Sequence, residues 1–394
     1  MIMKECVLVD GIRSANVRAN AKKGWFRNVR IDEVLTTVYD ELFARNPQVN
    51  PEDVEAVFCG CANQTGQTFD VGRLAWLAGG YPESVAANTI CQQCPSGMSA
   101  IEHAARAIMV GEGDIYIAAG VEDMLHVPMG AGAEFPPRVT ERYGSINDIL
   151  MGPTAEKVAE LWKLNAEEMR QVAYWSNKKA AAARDAGKFD NEIVPIEGED
   201  DDGNKFMVKT DQWIRDDITM ESMAAMKSPF KENGVITAAL SSPLTAGACA
   251  VILMSREKAD ELGCDYTLKY TAGAMAGNDP TIMGVGPVPA IIKVLARAGI
   301  KINDVGVFEL NEAFASQTLV CLRELGIEQN APFEKTNIWG GALALGHPLG
   351  ESGCRLVVTL NNIMKTDKSD AKYGVAALCG GFGNGNATLW ERVK

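Results

Sequence analysis

Apolar residues follow two alternating patterns through the first 120 positions of the chain. Short runs of β-branched and other apolar residues are typical of buried strands, and longer stretches with apolar residues at i, i+3 and i+4 are typical of helices. In chain order these segments are residues 6–9 (strand), 31–45 (helix), 54–59 (strand), 70–78 (helix), 96–110 (helix) and 115–119 (strand). This alternation predicts βαβ units, and therefore a largely parallel sheet with helices on its faces.

The last 120 residues repeat this order with similar short sequences, each about 250 residues after its partner. The matching pairs are 53–58 with 304–308, Ser96-Gly97 with Ser352-Gly353, and 115–120 with 375–380. We therefore predict a duplicated α/β half. The alternative is that α/β units resemble one another without duplication.

The segment 121–244 has a different composition, with Pro- and Gly-containing turns and two helical stretches at 154–164 and 166–186. Its acidic run 197–203 is predicted to be a solvated hairpin tip, because like charges repel and stay in water. The run 248–254 then returns as an apolar strand. We therefore divide the chain into an amino-terminal half (1–120 plus 245–272), an inserted loop domain (121–244) and a carboxy-terminal half (273–394).

Composition excludes several classes of protein. The 394 residues are 47% hydrophobic, which fits a globular protein with more than one core unit, and no apolar run reaches the roughly 20 residues of a membrane span. The start of the chain lacks a secretory pattern, so we expect a cytoplasmic protein. A net charge of −13 argues against nucleic acid or an anionic membrane as partner. An anionic ligand then requires a local basic patch, for which the inserted segment is the richest source: Lys178, Lys179, Arg184, Lys188, Arg215 and Lys227.

The reactive residues are few. Ten cysteines without framework spacing are expected to be reduced thiols, and only three histidines are available as a base near neutral pH. His103 lies within the predicted helix 96–110 and is expected to be packed or solvated. His126 lies in a loop, where it either lines a ligand channel or is structural. His347 lies between Gly346 and Pro348, where small residues allow close approach, so we expect it to be catalytic.

Cys94 is the strongest candidate nucleophile. It directly precedes Pro95 and the predicted helix, and a thiol at a helix N-terminus is expected to have a lowered pKa because the helix dipole favours the thiolate. Cys91 forms a C-x-x-C pair with it, which leaves a redox pair as an alternative. A buried, unreactive thiol is the other reading.

Three later segments place a reactive residue among small residues beside an apolar strand: Asn311-Glu-Ala-Phe314, Gly346-His-Pro348 and 379–385, which begins Cys379-Gly-Gly-Phe-Gly. In the last, backbone N–H groups after the strand are suited to an oxyanion. An exposed Cys379 thiol is predicted to transfer protons. With Cys94, these segments suggest acyl transfer through a thioester.

The chain resembles the thiolase family over nearly its whole length. The matching segments are Cys94-Pro-Ser-Gly, Gly120-Val-Glu-Asp-Met, Val127-Pro-Met-Gly, Met151-Gly-Pro-Thr-Ala-Glu, Asn311-Glu-Ala-Phe, Gly346-His-Pro-Leu-Gly and Cys379-Gly-Gly-Phe-Gly. Related condensing enzymes replace the terminal Cys-x-Gly, so Cys379 favours a thiolase. The resemblance implies an α/β fold in which duplicated βαβαβ halves form a layered α/β/α/β/α core.

The resemblance also implies roles for individual residues. Cys94 would attack the 3-keto carbon of a 3-ketoacyl-CoA, His347 would accept its proton, and Cys379 would protonate the acetyl-CoA enolate. Asn311, through a water, and His347 would form one oxyanion site, and the N–H groups of Cys94 and Gly381 would form the other. Pro95, where the family usually has Ser or Gly, leaves the N–H of Cys94 in place.

Coenzyme A is implied as a co-substrate, with no metal and no permanently bound cofactor. Arg215 would lie near its nucleotide and Ser242 near its pantetheine; the other implied ligand contacts are His126, Met151 and Phe314. The chain departs from the family pattern at 237–247 and at Ser176-Asn177, where the family often has Ser-His. We expect both departures to face the ligand, which concerns the choice of acyl group.

Three interpretations follow. The first is an enzyme of fatty acid metabolism, with degradative β-oxidation by 3-ketoacyl-CoA cleavage ahead of biosynthetic acetoacetyl-CoA formation, because the loop beginning at His126 resembles the longer-chain branch. The second is a CoA-ligand binding subunit without turnover. The third adds a Cys91–Cys94 redox switch to the enzyme. The family also implies a homodimer or homotetramer.

Overall fold

The computed structural model describes residues 3–64 and 69–393. Its strands are β1 (Cys6–Ser14), β2 (Val17–Arg18), β3 (Ala56–Gly60), β4 (Ala86–Ile90), β5 (Ile115–Asp123), β6 (Ile193–Val194), β7 (Ile196–Glu199), β8 (Lys205–Val208), β9 (Thr245–Ser255), β10 (Leu268–Gly277), β11 (Val305–Leu310), β12 (Tyr373–Gly380) and β13 (Asn384–Arg392).

The α-helices are α1 (Ile31–Arg45), α2 (Val71–Ala78), α3 (Ser96–Val110), α4 (Pro137–Tyr143), α5 (Met151–Leu161), α6 (Ala166–Asp185), α7 (Met220–Ala224), α8 (Arg256–Glu261), α9 (Pro287–Ala298), α10 (Ala315–Glu324), α11 (Ala342–Leu345) and α12 (Leu349–Lys365). Short 3₁₀ turns lie at Pro51–Asp53, Ile146–Ile149, Ala238–Leu240, Pro280–Val285 and Ile302–Asp304.

The predicted helices 31–45 and 96–110 are confirmed as α1 and α3. The acidic run 197–203 leads into the exposed turn between β7 and β8, as predicted. Strand β1 is longer than predicted, because Arg13 is fully buried there by ion pairs with Glu192 and Asp211. Burial of a charge requires such partners, and they lie far away in the sequence.

The main sheet has the strand order β11-β12-β13-β10-β1-β9-β5-β3-β4. The expectation of a largely parallel sheet is wrong. Along this path only β3–β4, β3–β5 and β11–β12 are parallel. The strands from β12 through β13, β10, β1 and β9 to β5 pair antiparallel. Parallel neighbours need a crossover connection, which limits their number.

The order is symmetric about the β1–β10 pair, since β1, β9, β5 and β3 on one side correspond to β10, β13, β12 and β11 on the other. We call β1, β9, β5, β3 and β4 the amino-terminal sheet half and β10 to β13 the carboxy-terminal sheet half. The matching sequence pairs occupy corresponding places. The division into 1–120 plus 245–272, 121–244 and 273–394 stays a prediction.

Helices α3 and α12 pack against each other and against strands of both sheet halves. Helices α1 and α2 cover the amino-terminal half and α9 covers the carboxy-terminal half, which gives the expected α/β/α/β/α order. The central helices approach closely at glycines. A Cβ on Gly97 would lie 2.5 Å from the oxygen of Gly350, and one on Gly353 would lie 2.4 Å from the nitrogen of Met98.

A search of the described helices for one long and apolar enough to cross a membrane found none.

Candidate active site

Cys94 lies in a tight turn between β4 and α3. Gln93 has a positive φ of 59°, and Pro95 is the N-cap residue of α3, so the chain reverses just before the helix begins. The hydroxyl of Ser96 accepts a hydrogen bond from the N–H of Gln92 and donates one to the carbonyl of Gln93. This serine therefore closes the turn that presents the thiol.

The Cys94 side chain is buried, with 4% of its surface exposed. Burial raises the pKa of its thiol to about 12, although the N–H groups of Gly381 and of Cys94 itself are directed at the sulfur and lower the pKa. The expectation of a lowered pKa is therefore wrong. The dipole and two N–H donors offset only part of the cost of burying a thiolate. At neutral pH Cys94 is therefore a thiol, and it would have to lose its proton to act as a nucleophile.

His347 is held by three elements. Its backbone N–H donates to the hydroxyl of Thr245 at 2.9 Å, and its ring Nδ1 lies 2.6 Å from the hydroxyl of Ser352. Because Ser352 gives its own proton to the carbonyl of Pro348, Nδ1–H donates to the serine and Nε2 is the unprotonated nitrogen, which accepts from the amide of Asn311. The side-chain nitrogen of Asn311 lies 3.3 Å from Nε2.

Burial, and to a smaller extent the positive charge of Arg355, lowers the pKa of His347 to about 3. The ring is therefore neutral at pH 7 and ready to accept a proton at Nε2. This state matches the protonated thiol of Cys94.

Cys379 is the second-last residue of β12, and Gly381 directly follows the strand. Contrary to expectation, the Cys379 thiol is fully buried, and burial together with nearby Cys94 raises its pKa far above the ordinary value. The strand end passes under the small residues of the Cys94 turn: a Cβ on Gly380 would lie 2.6 Å from the ring of Pro95. At neutral pH the Cys379 thiol therefore carries its proton.

The three reactive side chains line one cavity of about 580 Å³. Met151, Phe314, Ser242 and Arg215 also line it, as the sequence predicted for ligand contacts. Asn311 lies behind the ring of His347, and Gly381 reaches Cys94 through its N–H. The site therefore draws on both sheet halves and on the segment between them.

The cavity has a basic side and an apolar side. The guanidinium of Arg18 lies 4.6 Å from the ring centre of Trp213, and Lys23 and Arg215 line the same side. The apolar side includes methionines and an aromatic residue that sequence reasoning missed: Met124, Met129, Met226, Met283 and Phe230. The sequence feature that pointed to an apolar lining of this kind is the count of 16 methionines.

Two places expected to face the ligand have other partners in the structure. The ring of His126 does not line the cavity: its Nδ1 lies 2.7 Å from Asp123 and its Nε2 lies 3.0 Å from the carbonyl of Arg27, so it joins two loops. Ser176 and Asn177 are buried rather than facing a ligand. Asn177 instead accepts the N–H of Arg215, and therefore supports the basic side from behind.

Two buried thiols and a neutral imidazole around one cavity, on a duplicated layered α/β fold, define an acyltransferase. Two family models match the chain, the thiolase N-terminal domain at residues 6–257 and the thiolase C-terminal domain at residues 266–392. The chain belongs to the thiolase family.

Relatives with assigned names extend over the full length. The chain is 44% identical to a 3-ketoacyl-CoA thiolase of Aliivibrio fischeri, over 99% of this chain and 100% of the relative. It is also 44% identical to one of Marinobacter nauticus, over 99% of both chains.

Two solved structures are similar over 100% of both chains. They are the acetyl-CoA acetyltransferase of Bacillus anthracis, with 34% identity and a TM-score of 0.88, and human mitochondrial 3-ketoacyl-CoA thiolase, with 29% identity and a TM-score of 0.89. The two names describe different activities on one fold.

Proposed function

We propose that this enzyme cleaves 3-ketoacyl-CoA with coenzyme A, giving acetyl-CoA and a shortened acyl-CoA. The observation that carries the proposal is the meeting of Cys94, His347 and Cys379 in one cavity. The reaction needs one nucleophile, one base and one proton donor, and these three side chains have the matching protonation states at neutral pH.

In the first step the sulfur of Cys94 attacks the 3-keto carbon while its proton passes to Nε2 of His347. The bond between C2 and C3 then breaks, and its electron pair stays on C2 as the enolate of acetyl-CoA. Cys379 gives its proton to C2, which leaves acetyl-CoA free and the acyl group on Cys94 as a thioester.

In the second step a coenzyme A thiol attacks this thioester. Its proton passes to the Cys379 thiolate, and the sulfur of Cys94 leaves and takes back the proton held by His347. All protein groups return to their starting state. The reverse direction is a Claisen condensation, in which Cys379 removes the α-proton.

Two donor pairs are suited to the oxygens that become negative. The N–H groups of Cys94 and Gly381 already point at the sulfur, next to the carbonyl that it would attack. Asn311 and protonated His347 form the second pair, for the thioester oxygen. Loss of one such donor typically costs about 3 kcal/mol of transition-state stabilisation.

Coenzyme A carries phosphates, and the basic side formed by Arg18, Lys23 and Arg215 supports its binding in a chain of net charge −13. Ser242 lines the same cavity, and we propose it as a contact for pantetheine. Coenzyme A is proposed as a co-substrate, not as a permanently bound group.

Methionines and aromatic residues around the cavity favour acyl groups longer than acetyl, because methionine side chains adapt to chains of different shape. The names of the relatives at 44% identity support the same choice. The alternative is acetoacetyl-CoA formation, which the similarity to the Bacillus anthracis enzyme supports. We further propose a cytoplasmic homodimer or homotetramer that acts in fatty acid β-oxidation.

The test is thiolysis of 3-ketoacyl-CoA substrates from C4 to C16, with product acyl-CoA separated by chromatography. We expect higher kcat/KM above C4. Activity confined to C4 would favour the acetoacetyl-CoA alternative. Incubation with acetyl-CoA and mass spectrometry of the Cys94 peptide provides the second test, since a mere binding subunit would leave that thiol free.

A further inference from the structure

Helix α12 begins two residues after His347 but has no cap of its own. Its N-cap residue is Pro348, which has no side-chain acceptor for the free N–H groups of the first turn. The N–H groups of Glu351 and Ser352 donate to the carbonyl of Pro348, whereas the buried N–H of Gly350 needs an acceptor from elsewhere.

The acceptor comes from the amino-terminal sheet half. Glu122, near the end of β5, accepts the N–H of Gly350 at 2.9 Å. The same carboxylate accepts the N–H groups of Ala62 at 2.9 Å and Asn63 at 3.1 Å, just after β3. Its side chain is 1% exposed. One carboxylate therefore joins the ends of two strands to the helix that follows the base.

Backbone packing makes this junction tight. A Cβ on Gly350 would lie 2.6 Å from the oxygen of Val121 and 2.7 Å from the Cα of Cys61. The oxygen of Gly350 also approaches Gly97, two residues into the helix of the nucleophile. The position of Gly350 therefore sets the separation between the start of α3 and the start of α12.

We propose that Glu122 is a positioning residue for His347. By holding the N–H of Gly350, it fixes the first turn of α12, and with it Ser352 and the ring that Ser352 orients toward Cys94. The carboxyl oxygen that accepts the N–H of Gly350 also lies at the positive end of the helix dipole, which stabilises this turn further. The inference rests on the proposed function, since it assigns Glu122 to the base of that reaction.

Helix α11, on the other side of His347, has a comparable borrowed cap. Its N-cap residue is Gly341, and the N–H of Leu343 donates to the carboxylate of Glu312 at 3.2 Å. The first turn of each helix that flanks His347 thus donates a backbone N–H to a buried carboxylate from another element. Glu122 is the better one to test, because Glu312 directly follows Asn311.

The experiment uses the full chain with Cys91→Ala as background, so that iodoacetamide labelling reports on Cys94. We expect Glu122→Ala to lower kcat about 10- to 100-fold with KM changed less than twofold, because a misplaced base costs rate rather than binding. Labelling of Cys94 should slow in the same variant. Glu122→Gln keeps one acceptor oxygen and should lose about fivefold in kcat.

Glu192→Gln is the matched control. Glu192 is equally buried and bonds Thr359 and Asn362 of the same helix, far from His347. We expect this variant to lose thermal stability and keep kcat. If Glu122→Ala does not fold, Glu122→Gln decides.

Unchanged kcat in the Glu122 variants would overturn the proposal, and so would a fall in kcat with unchanged Cys94 labelling. Activity that survives His347→Ala would instead overturn the proposed function, whatever the Glu122 variants do.

Discussion

The starts of α3 and α12 occupy corresponding positions in the two sheet halves, but they position different side chains. Ser96-Gly97 and Ser352-Gly353 match in sequence, and each glycine lies against the opposite helix. In the amino-terminal half the helix begins at the serine itself, and the turn before it presents Cys94. In the carboxy-terminal half the helix begins three residues before the serine, and His347 precedes it.

The matched serines show how the two sites diverged. Ser96 bonds only the backbone of the turn before it, whereas Ser352 bonds the ring of the base. The close glycine contact is kept in both halves, because it sets the distance between the helices. A repeated packing unit therefore carries the proposed nucleophile on one side and the proposed base on the other.

The largest effect should come from removing the nucleophile. We expect Cys94→Ala to lower kcat at least about 10⁴-fold, because no thioester can form. Steady-state thiolysis and mass spectrometry after acetyl-CoA both measure this. Cys91→Ala is the control and should keep full activity with no response to mild oxidant. If mild oxidant inactivates the unmodified chain but leaves Cys91→Ala active, the redox switch is favoured.

Removing the base on the other side should have the next largest effect. We expect His347→Ala to lower kcat about 10²- to 10⁴-fold, because the thiol of Cys94, with its pKa raised to about 12, then lacks a proton acceptor. Activity should return in part as the pH is raised toward 9. A variant with unchanged kcat at pH 7 would contradict the assignment of the base.

The matched serines give a smaller and more specific effect. We expect Ser352→Ala and Ser96→Ala each to lower kcat about tenfold, since each loses hydrogen bonds worth about 1 kcal/mol apiece. In a His347→Ala background, Ser352→Ala should have no further effect, because it acts through the ring. Ser96→Ala should still lower the rate. If both serine variants lower kcat by the same factor in the His347→Ala background, the two helix starts do not differ in this way.

The smallest expected effect is an absence of pH dependence. The pKa of His347 is lowered to about 3 and that of Cys94 is raised to about 12, so neither group changes protonation between pH 5.5 and 7.5. The rate of Cys94 acylation by acetyl-CoA should be constant in this window. Circular dichroism checks that the protein stays folded. An inflection near pH 6.5 would show an ordinary, exposed imidazole.

Much of the fold was predictable from local pattern. The apolar periodicity gave the bounds of α1 and α3, and the sequence repeats indicated the duplicated halves. The ends of β1 and β5 were not predictable, because Arg13 and Glu122 are polar residues buried by partners from distant segments. The antiparallel centre of the sheet depends likewise on long-range pairing.

For the site, motifs indicated the reactive residues and several ligand contacts, but not their electrostatics. The dipole of α3 alone favours a thiolate at Cys94, whereas burial in the folded protein dominates the pKa of this thiol. The sequence repeat marked Ser352 but not its bond to His347, and the basic side at Arg18 gave no local signal, because both depend on residues that the fold brings together.

The glycine contact between α3 and α12 has a consequence for how the reaction centre is assembled. A Cβ on Gly97 or Gly353 would lie 2.4 to 2.5 Å from backbone atoms of the opposite helix, so the two helices pack in contact at these glycines. Neither half alone has a complete reaction centre, so the site is complete only where the two halves are docked against each other.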